Sequence, residues 1–220
     1  MLVRNRGFRF LLFFSSTILT IFVIEGVLRL FYTQKADAGE RFYTYVEYDR
    51  IRGWRDRPNA DVYFNSDEYE VRMQFNSHGL RGPERSYRKG PALYRILILG
   101  DSFVEGVGVD LRNRFPEVLE KLLNEAATGL KFEVIAMGTA GYSTDQELLW
   151  LKSEGLRWNP DLVITMFYWD DVIRNTHKTM FNVPKPQFAL KGEQLELTNV
   201  PVPRIPQISS EKSPWKQTKD

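Results

Sequence analysis

Arg95-Ile96-Leu97-Ile98-Leu99-Gly100-Asp101-Ser102-Phe103-Val104-Glu105-Gly106-Val107-Gly108 is the stretch on which the fold turns. Residues 96–99 are apolar without alternation, in a run too short for a helix of its own. Such a run fits a parallel strand buried on both faces. Gly100 closes it, and Asp101-Ser102 opens a strand-to-helix turn. In the simplest case an Asp or Ser there only caps the helix.

The same grammar continues downstream. Residues 115–123 have helical spacing with Pro116 in the first turn. Residues 131–136 form a second strand, residues 143–151 a helix capped by Ser143 or Thr144, and residues 160–167 a third strand. Strand, helix, strand, helix, strand predicts a parallel sheet covered by helices, with right-handed crossovers. Upstream, residues 60–64 and 69–75 alternate as strands, and residues 76–84 read as a turn-rich loop. Residues 187–190 and 194–197 predict a small hairpin around Lys191-Gly192-Glu193. There are no internal repeats. The chain therefore divides into a basic tail (1–9), an apolar segment (10–32), a polar and aromatic extension (33–92), an α/β domain (93–200), and a tail without periodicity (201–220) expected to be disordered.

The apolar segment predicts a membrane anchor. Arg4, Arg6 and Arg9 precede an uncharged run from Phe10 to Ile24, and the segment reaches spanning length if Glu25 and Arg29 are tolerated. These two stand four residues apart, so they can pair on one face near the interface. The arginines predict a cytoplasmic N-terminus, a single-pass topology and a periplasmic or extracellular domain. The rival is a cleaved signal peptide, for which Ala36-Asp37-Ala38 has the small-x-small form but lies far beyond Ile24.

Composition excludes several chemistries. With no cysteine among 220 residues, disulfides, thiolate catalysis and Cys-based zinc sites are ruled out. A net charge of +2 gives no reason to propose a nucleic-acid partner. Apolar content of 43% supports a real core. No ligand cluster suggests a metal, and no cofactor is implied. Oligomeric state is not legible. The two histidines, His78 and His177, are the only imidazoles on which a base could be built.

In a doubly wound sheet, sites form beyond the carboxyl ends of the strands. Three suggestive segments fall there: Gly100-Asp101-Ser102-Phe103, Gly138-Thr139-Ala140-Gly141-Tyr142 and Phe167-Tyr168-Trp169-Asp170-Asp171. The run 96–108 resembles block I of the SGNH (GDSL-type) hydrolases. Residues 138–144 are similar to block II, and Asp170-Asp171 occupies the block III position. The loop Asn76-Ser77-His78-Gly79-Leu80-Arg81-Gly82-Pro83-Glu84 resembles the lead-in of membrane-anchored bacterial members. The similarity covers roughly residues 70–200.

The resemblance implies an incomplete three-layer, flavodoxin-like α/β fold and serine ester or acyl-transfer chemistry on carbohydrate or lipid esters. Ser102 would be the nucleophile. The backbone amides of Ser102 and Gly141 and a block III side chain would hold the oxyanion, each donor worth roughly 3–4 kcal/mol. Two departures stand out. Asp170 replaces the family's Asn and can donate only if protonated, which needs a carboxyl pKa raised well above about 4. The family's late Asp-x-x-His is absent, so the chain carries no matching catalytic base. His177 follows block III too closely to match, and His78 could only approach from the lead-in loop. Two expectations follow: a chain truncated before its histidine, or a non-catalytic binding protein. A plain turn at Gly-Asp-Ser is the third.

Overall fold

A computed structural model describes residues 4–31, 44–65, 69–126 and 129–205. The chain separates into two compact units, residues 1–37 and 38–220.

The first unit is helix α1, Arg4–Phe31. Within it Gly7–Leu28 has a mean hydropathy of 2.1 and no buried part, so this one helix is long and apolar enough to cross a membrane. Its 22 residues span about 33 Å at about 1.5 Å per residue, close to a hydrocarbon core of about 30 Å. The hydroxyls inside it are satisfied locally. Ser15 Oγ donates to Leu11 O at 2.8 Å, Thr17 Oγ1 to Phe13 O at 2.9 Å and Thr20 Oγ1 to Ser16 O at 2.9 Å. The Arg29 side chain and the Ala36-Asp37-Ala38 segment lie outside the described residues, so the expected Glu25–Arg29 pair and the cleavage form do too.

The second unit is mixed α/β. Strands β5 (Leu93–Gly100), β6 (Lys131–Gly138) and β7 (Leu162–Thr165) form a parallel sheet in the order β6-β5-β7. Ile96 stands opposite Val134 and Leu162, and Gly100 opposite Gly138. The central strand is buried on both faces, as its unbroken apolar run requires. Ile96 and Ile98 pack with Val104 and Val134 against Leu119 and Leu123 of helix α3 (Phe115–Glu125). Pro116 stands in the first turn of α3, where its missing amide costs nothing. Leu97 and Leu99 face the other way, toward Trp150 of helix α4 (Thr144–Ser153). A four-residue helix α2, Ser102–Glu105, follows β5.

The extension holds two hairpins. Strands β1 (Val46–Asp49) and β2 (Gly53–Asp56) pair antiparallel, as do β3 (Asp61–Asn65) and β4 (Glu70–Gln74). Its Tyr45, Trp54, Met73 and Phe75 belong to the same buried cluster as Leu97, Leu99 and Met137. Burying those aromatics is what closes the α4 face of the sheet. Two short strands, β8 (Thr179–Met180) and β9 (Val183–Pro184), precede the expected hairpin, β10 (Gln187–Lys191) with β11 (Gln194–Thr198). Order also extends past residue 200, where the lack of periodicity predicts disorder. Val202 is buried, its amide donates to Arg50 O at 2.8 Å, and its carbonyl accepts from Tyr48 Oη at 2.6 Å. Residues 206–220 lie outside the described residues.

Arg95 ties the amino end of the sheet to the segments around it. Its guanidinium is buried, donates to Glu133 Oε2 at 2.6 Å and to the carbonyls of Ser86 and Tyr87 at 3.0 and 3.1 Å, and also reaches Trp158 O. Arg95→Met leaves those carbonyls without this donor and Glu133 with only the longer Arg85 contact at 3.4 Å. The expected cost is about 3 kcal/mol or more, read as a lower urea midpoint. A midpoint within error of the parent would show that the network contributes nothing net.

Candidate active site

Three loops leave the carboxyl edge of the sheet, and each carries one predicted site residue. The first begins at Gly100. Asp101 caps α2, its carboxylate accepting from the Phe103 amide at 2.9 Å and its carbonyl from the Glu105 amide at 3.0 Å. Gly106, in the left-handed region at φ 71°, closes this single turn by donating to Ser102 O at 2.8 Å. Ser102 stands half-buried at the N-terminus of the turn. Neither its hydroxyl nor its amide finds an acceptor among the described residues.

The second loop follows Gly138. A Cβ at Gly100 would drive into Val104, and one at Gly138 would meet the Glu105 amide. The two glycines thus let α2 settle onto both strand ends. Thr139 N donates to Gly100 O at 3.3 Å, joining the loops directly. Gly141 is buried at φ +78°, and its amide also lacks an acceptor among the described residues. Phe181, in the turn between β8 and β9, covers its Cα.

The third loop carries Asp170. Its Oδ2 accepts from Arg174 Nε at 2.9 Å. Arg174 Nη1 reaches across to Asp101 Oδ2 at 3.2 Å and stands 4.0 Å from Asp171 Oδ1. This guanidinium fastens the third loop to the first.

Neither histidine serves Ser102. His78 bonds Arg85 O at 3.2 Å through Nε2 and stacks edge-on with Tyr87 and Trp158. Trp158 precedes β7 and its carbonyl holds Arg95, so His78 sits at the amino end of the sheet, opposite Ser102. The other imidazole, His177, is exposed with no side-chain hydrogen bond among the described residues.

Sequence reading missed two buried shells. In one, Asp56 Oδ2 accepts from Thr139 Oγ1 at 2.9 Å, Trp54 Nε1 donates to Ala140 O at 3.1 Å, and Arg81 Nη1 donates to Glu105 O at 3.1 Å and Gly106 O at 2.5 Å. The extension therefore props both the Ser102 and Gly141 loops. Glu105 is fully buried, and its carboxyl is pushed up to about 7 by burial, against the pull of Tyr45, the Ala140 amide and two arginines. In the other shell, buried Lys185 holds Asp145 at 2.7 Å, the Ser143 hydroxyl at 3.1 Å and Arg174 O at 3.0 Å. Ser143 stands at the predicted cap of α4, but its hydroxyl is engaged by Lys185 and makes no cap bond.

Beside this shell, Glu147 is buried with neither carboxyl oxygen hydrogen-bonded. Burial pushes it up to about 8, and Asp171, Asp101 and Asp145 add to the rise. It lines a cavity of about 460 Å³ with Leu99, Leu148, Leu151, Thr165 and Phe188. Among the described residues no group of His, Cys, Asp and Glu could hold a metal ion.

No family model and no curated protein matches the chain. Among solved structures it is similar to AlinE4, an SGNH-hydrolase family esterase, at 27% identity and a TM-score of 0.33, over 41% of this chain and 48% of that one. An aspartate-to-alanine mutant of AlinE4 gives the same values. The chain thus spans about half the length of the esterases it matches.

Glu147 makes stability depend on pH. From about 4.5 to about 8 the folded chain keeps a proton that the unfolded chain has released. Stability therefore falls as pH rises through that window, by up to about 1.4 kcal/mol per unit. Glu147→Gln should flatten this slope, leaving the part due to the other raised carboxyls, Glu105, Asp56, Asp145 and Asp171, and should exceed the parent in stability at pH 9. Urea titrations at pH 5, 7 and 9 measure it, and an unchanged slope would show that Glu147 is ionised throughout.

Proposed function

We propose that the chain is a membrane-anchored serine ester hydrolase or acyltransferase of the SGNH type, with a three-layer, flavodoxin-like domain acting on ester-linked acyl groups of carbohydrate or lipid. The observation that carries this reading is the pairing of Ser102 with Gly141. Both stand at one sheet edge, and both offer amides with no acceptor among the described residues. An acyl carbonyl attacked by Ser102 Oγ becomes an oxyanion, and two uncommitted amides are what it needs. The partial positive end of the turn at Ser102 adds to them. Attack gives a tetrahedral adduct, collapse expels the alcohol, and water or a sugar hydroxyl then takes the acyl group from Ser102.

The proton on Ser102 Oγ needs an acceptor, and neither histidine of this chain is near it. An Asp-x-x-His segment beyond residue 220 would supply it. The arginines that precede the uncharged run 10–24 favour a domain on the far side of a membrane from them. A second reading, a non-catalytic glycan- or partner-binding protein of the same type, is favoured by the Arg174–Asp170 pair, which puts a carboxylate where a donor belongs.

A fluorophosphonate probe separates these readings. The proposal expects labelling of Ser102, abolished in Ser102→Ala, at a rate about 10³–10⁶-fold below that of a serine with its base. Labelling that survives Ser102→Ala, or none after long incubation, would overturn the nucleophile assignment. Fusing an Asp-x-x-His segment that restores turnover would support the hydrolase over the binding protein.

A further inference from the structure

Beside Ser102 lies an aromatic surface that ester chemistry leaves unexplained. Phe103 follows Ser102 and is 63% exposed, and Trp169 is 65% exposed. Between them Tyr168 stands 5.5 Å from the Phe103 ring and 5.6 Å from Trp169. Tyr168 is held in place from two sides. Its amide donates to Asp171 Oδ2 at 3.0 Å, and the Arg174 guanidinium lies over its ring at 5.3 Å. A contiguous row of exposed rings at the mouth of a site signals a ligand.

The surrounding charge restricts that ligand. Asp101, Asp170 and Asp171 surround Arg174, and Lys185 is committed to Asp145. Among these described residues an anion finds no unpaired positive charge. An apolar protein surface or acyl chain laid over the rings would strip water from the Asp170 carboxylate, which is strongly unfavourable. A pyranose suits both features. Its C–H face is apolar and packs on an aromatic face, and its rim of hydroxyls donates to carboxylate oxygens.

We propose that Phe103, Tyr168 and Trp169 form a stacking platform for an uncharged sugar ring, with Asp170 accepting from its hydroxyls, so that the ester presented to Ser102 belongs to a neutral glycan. This rests on the function proposed above for its link to catalysis, and it assigns Asp170 a binding role in place of the family's oxyanion donor.

The test uses the full chain in nanodiscs, carrying Ser102→Ala and Trp215→Phe. Trp54, Trp150 and Trp158 are buried, so acrylamide quenching reports on Trp169. Cellotetraose, mannotetraose and chitotetraose are titrated beside trigalacturonate. At least one neutral sugar should protect Trp169, with trigalacturonate at least tenfold weaker. Trp169→Ala should lower the affinity about tenfold, read by saturation-transfer NMR, while Trp169→Phe keeps most of it. Protection by none of the neutral sugars, equal protection by trigalacturonate, or full affinity in Trp169→Ala would overturn the platform. Quenching of Trp169 by brominated phosphatidylcholine that no sugar relieves would overturn it in favour of a membrane contact. Fluorophosphonate labelling of the parent chain is scored separately. Sugar binding without labelling keeps the platform and removes the esterase, and labelling without sugar binding does the reverse.

Discussion

Neither Gly100 nor Gly138 has room for a Cβ, because the single turn of α2 rests directly on both strand ends. That close approach is the constraint from which the rest of the site follows. It puts Ser102 at the top of the central strand and brings the loop after β6 beside it, where Thr139 bonds Gly100. A side chain at either glycine would lift the turn and separate the Ser102 amide from the Gly141 loop. The buried arginines hold the same turn from outside. Arg81 and Arg114 both donate to Glu105 O, which secures the end of a helix too short to be stable alone.

The site is rich in carboxyl groups that burial disfavours. Glu105, Asp56, Glu147 and Asp171 are all pushed up by loss of water. Lys185 offsets part of this cost for Asp145, and Arg174 pairs with Asp101 and Asp170. Glu147 has no such partner, so neutrality is its cheapest state near neutral pH. Such an arrangement is costly for a mere structural core, where apolar residues would serve better.

Much of the architecture could be read from periodicity. The unbroken apolar run at 96–99 demanded a doubly covered strand, and the alternation after it demanded parallel neighbours, as the β6-β5-β7 order bears out. The hairpin at 187–198 announced itself through Lys191-Gly192-Glu193. The β1–β2 hairpin did not, because its strands are short and charged. Its signal was Asp49, whose carboxylate accepts the Ile51 and Arg52 amides, followed by Gly53 at φ 92°. The turn of β8 and β9 was hidden in the same way, since Phe181 and Asn182 adopt positive φ without a glycine. The role of the extension was beyond any local pattern. Trp54, Asp56 and Arg81 act on loops more than twenty residues away, and only packing reveals it.

Asp170 shows how a motif position and its chemistry come apart. From sequence alone its protonation stood open, and with it the oxyanion role. Arg174, four residues later on α5 (Asp171–Arg174 with its cap at Asp170), stands in plain view at a spacing that favours an ion pair. That pair engages the Asp170 side chain with a guanidinium. The Ser102 and Gly141 amides are then the donors on which the proposed oxyanion role rests, and they need no change of protonation. In the proposed reaction, an oxyanion held by two amides would be less stabilised than one held by three donors by roughly 3–4 kcal/mol. Arg174 compensates in position more than in charge, because Asp101, Asp170 and Asp171 already share its field. On the proposed reading, the site is better built to hold a polar, uncharged ligand against Ser102 than to drive fast chemistry on it.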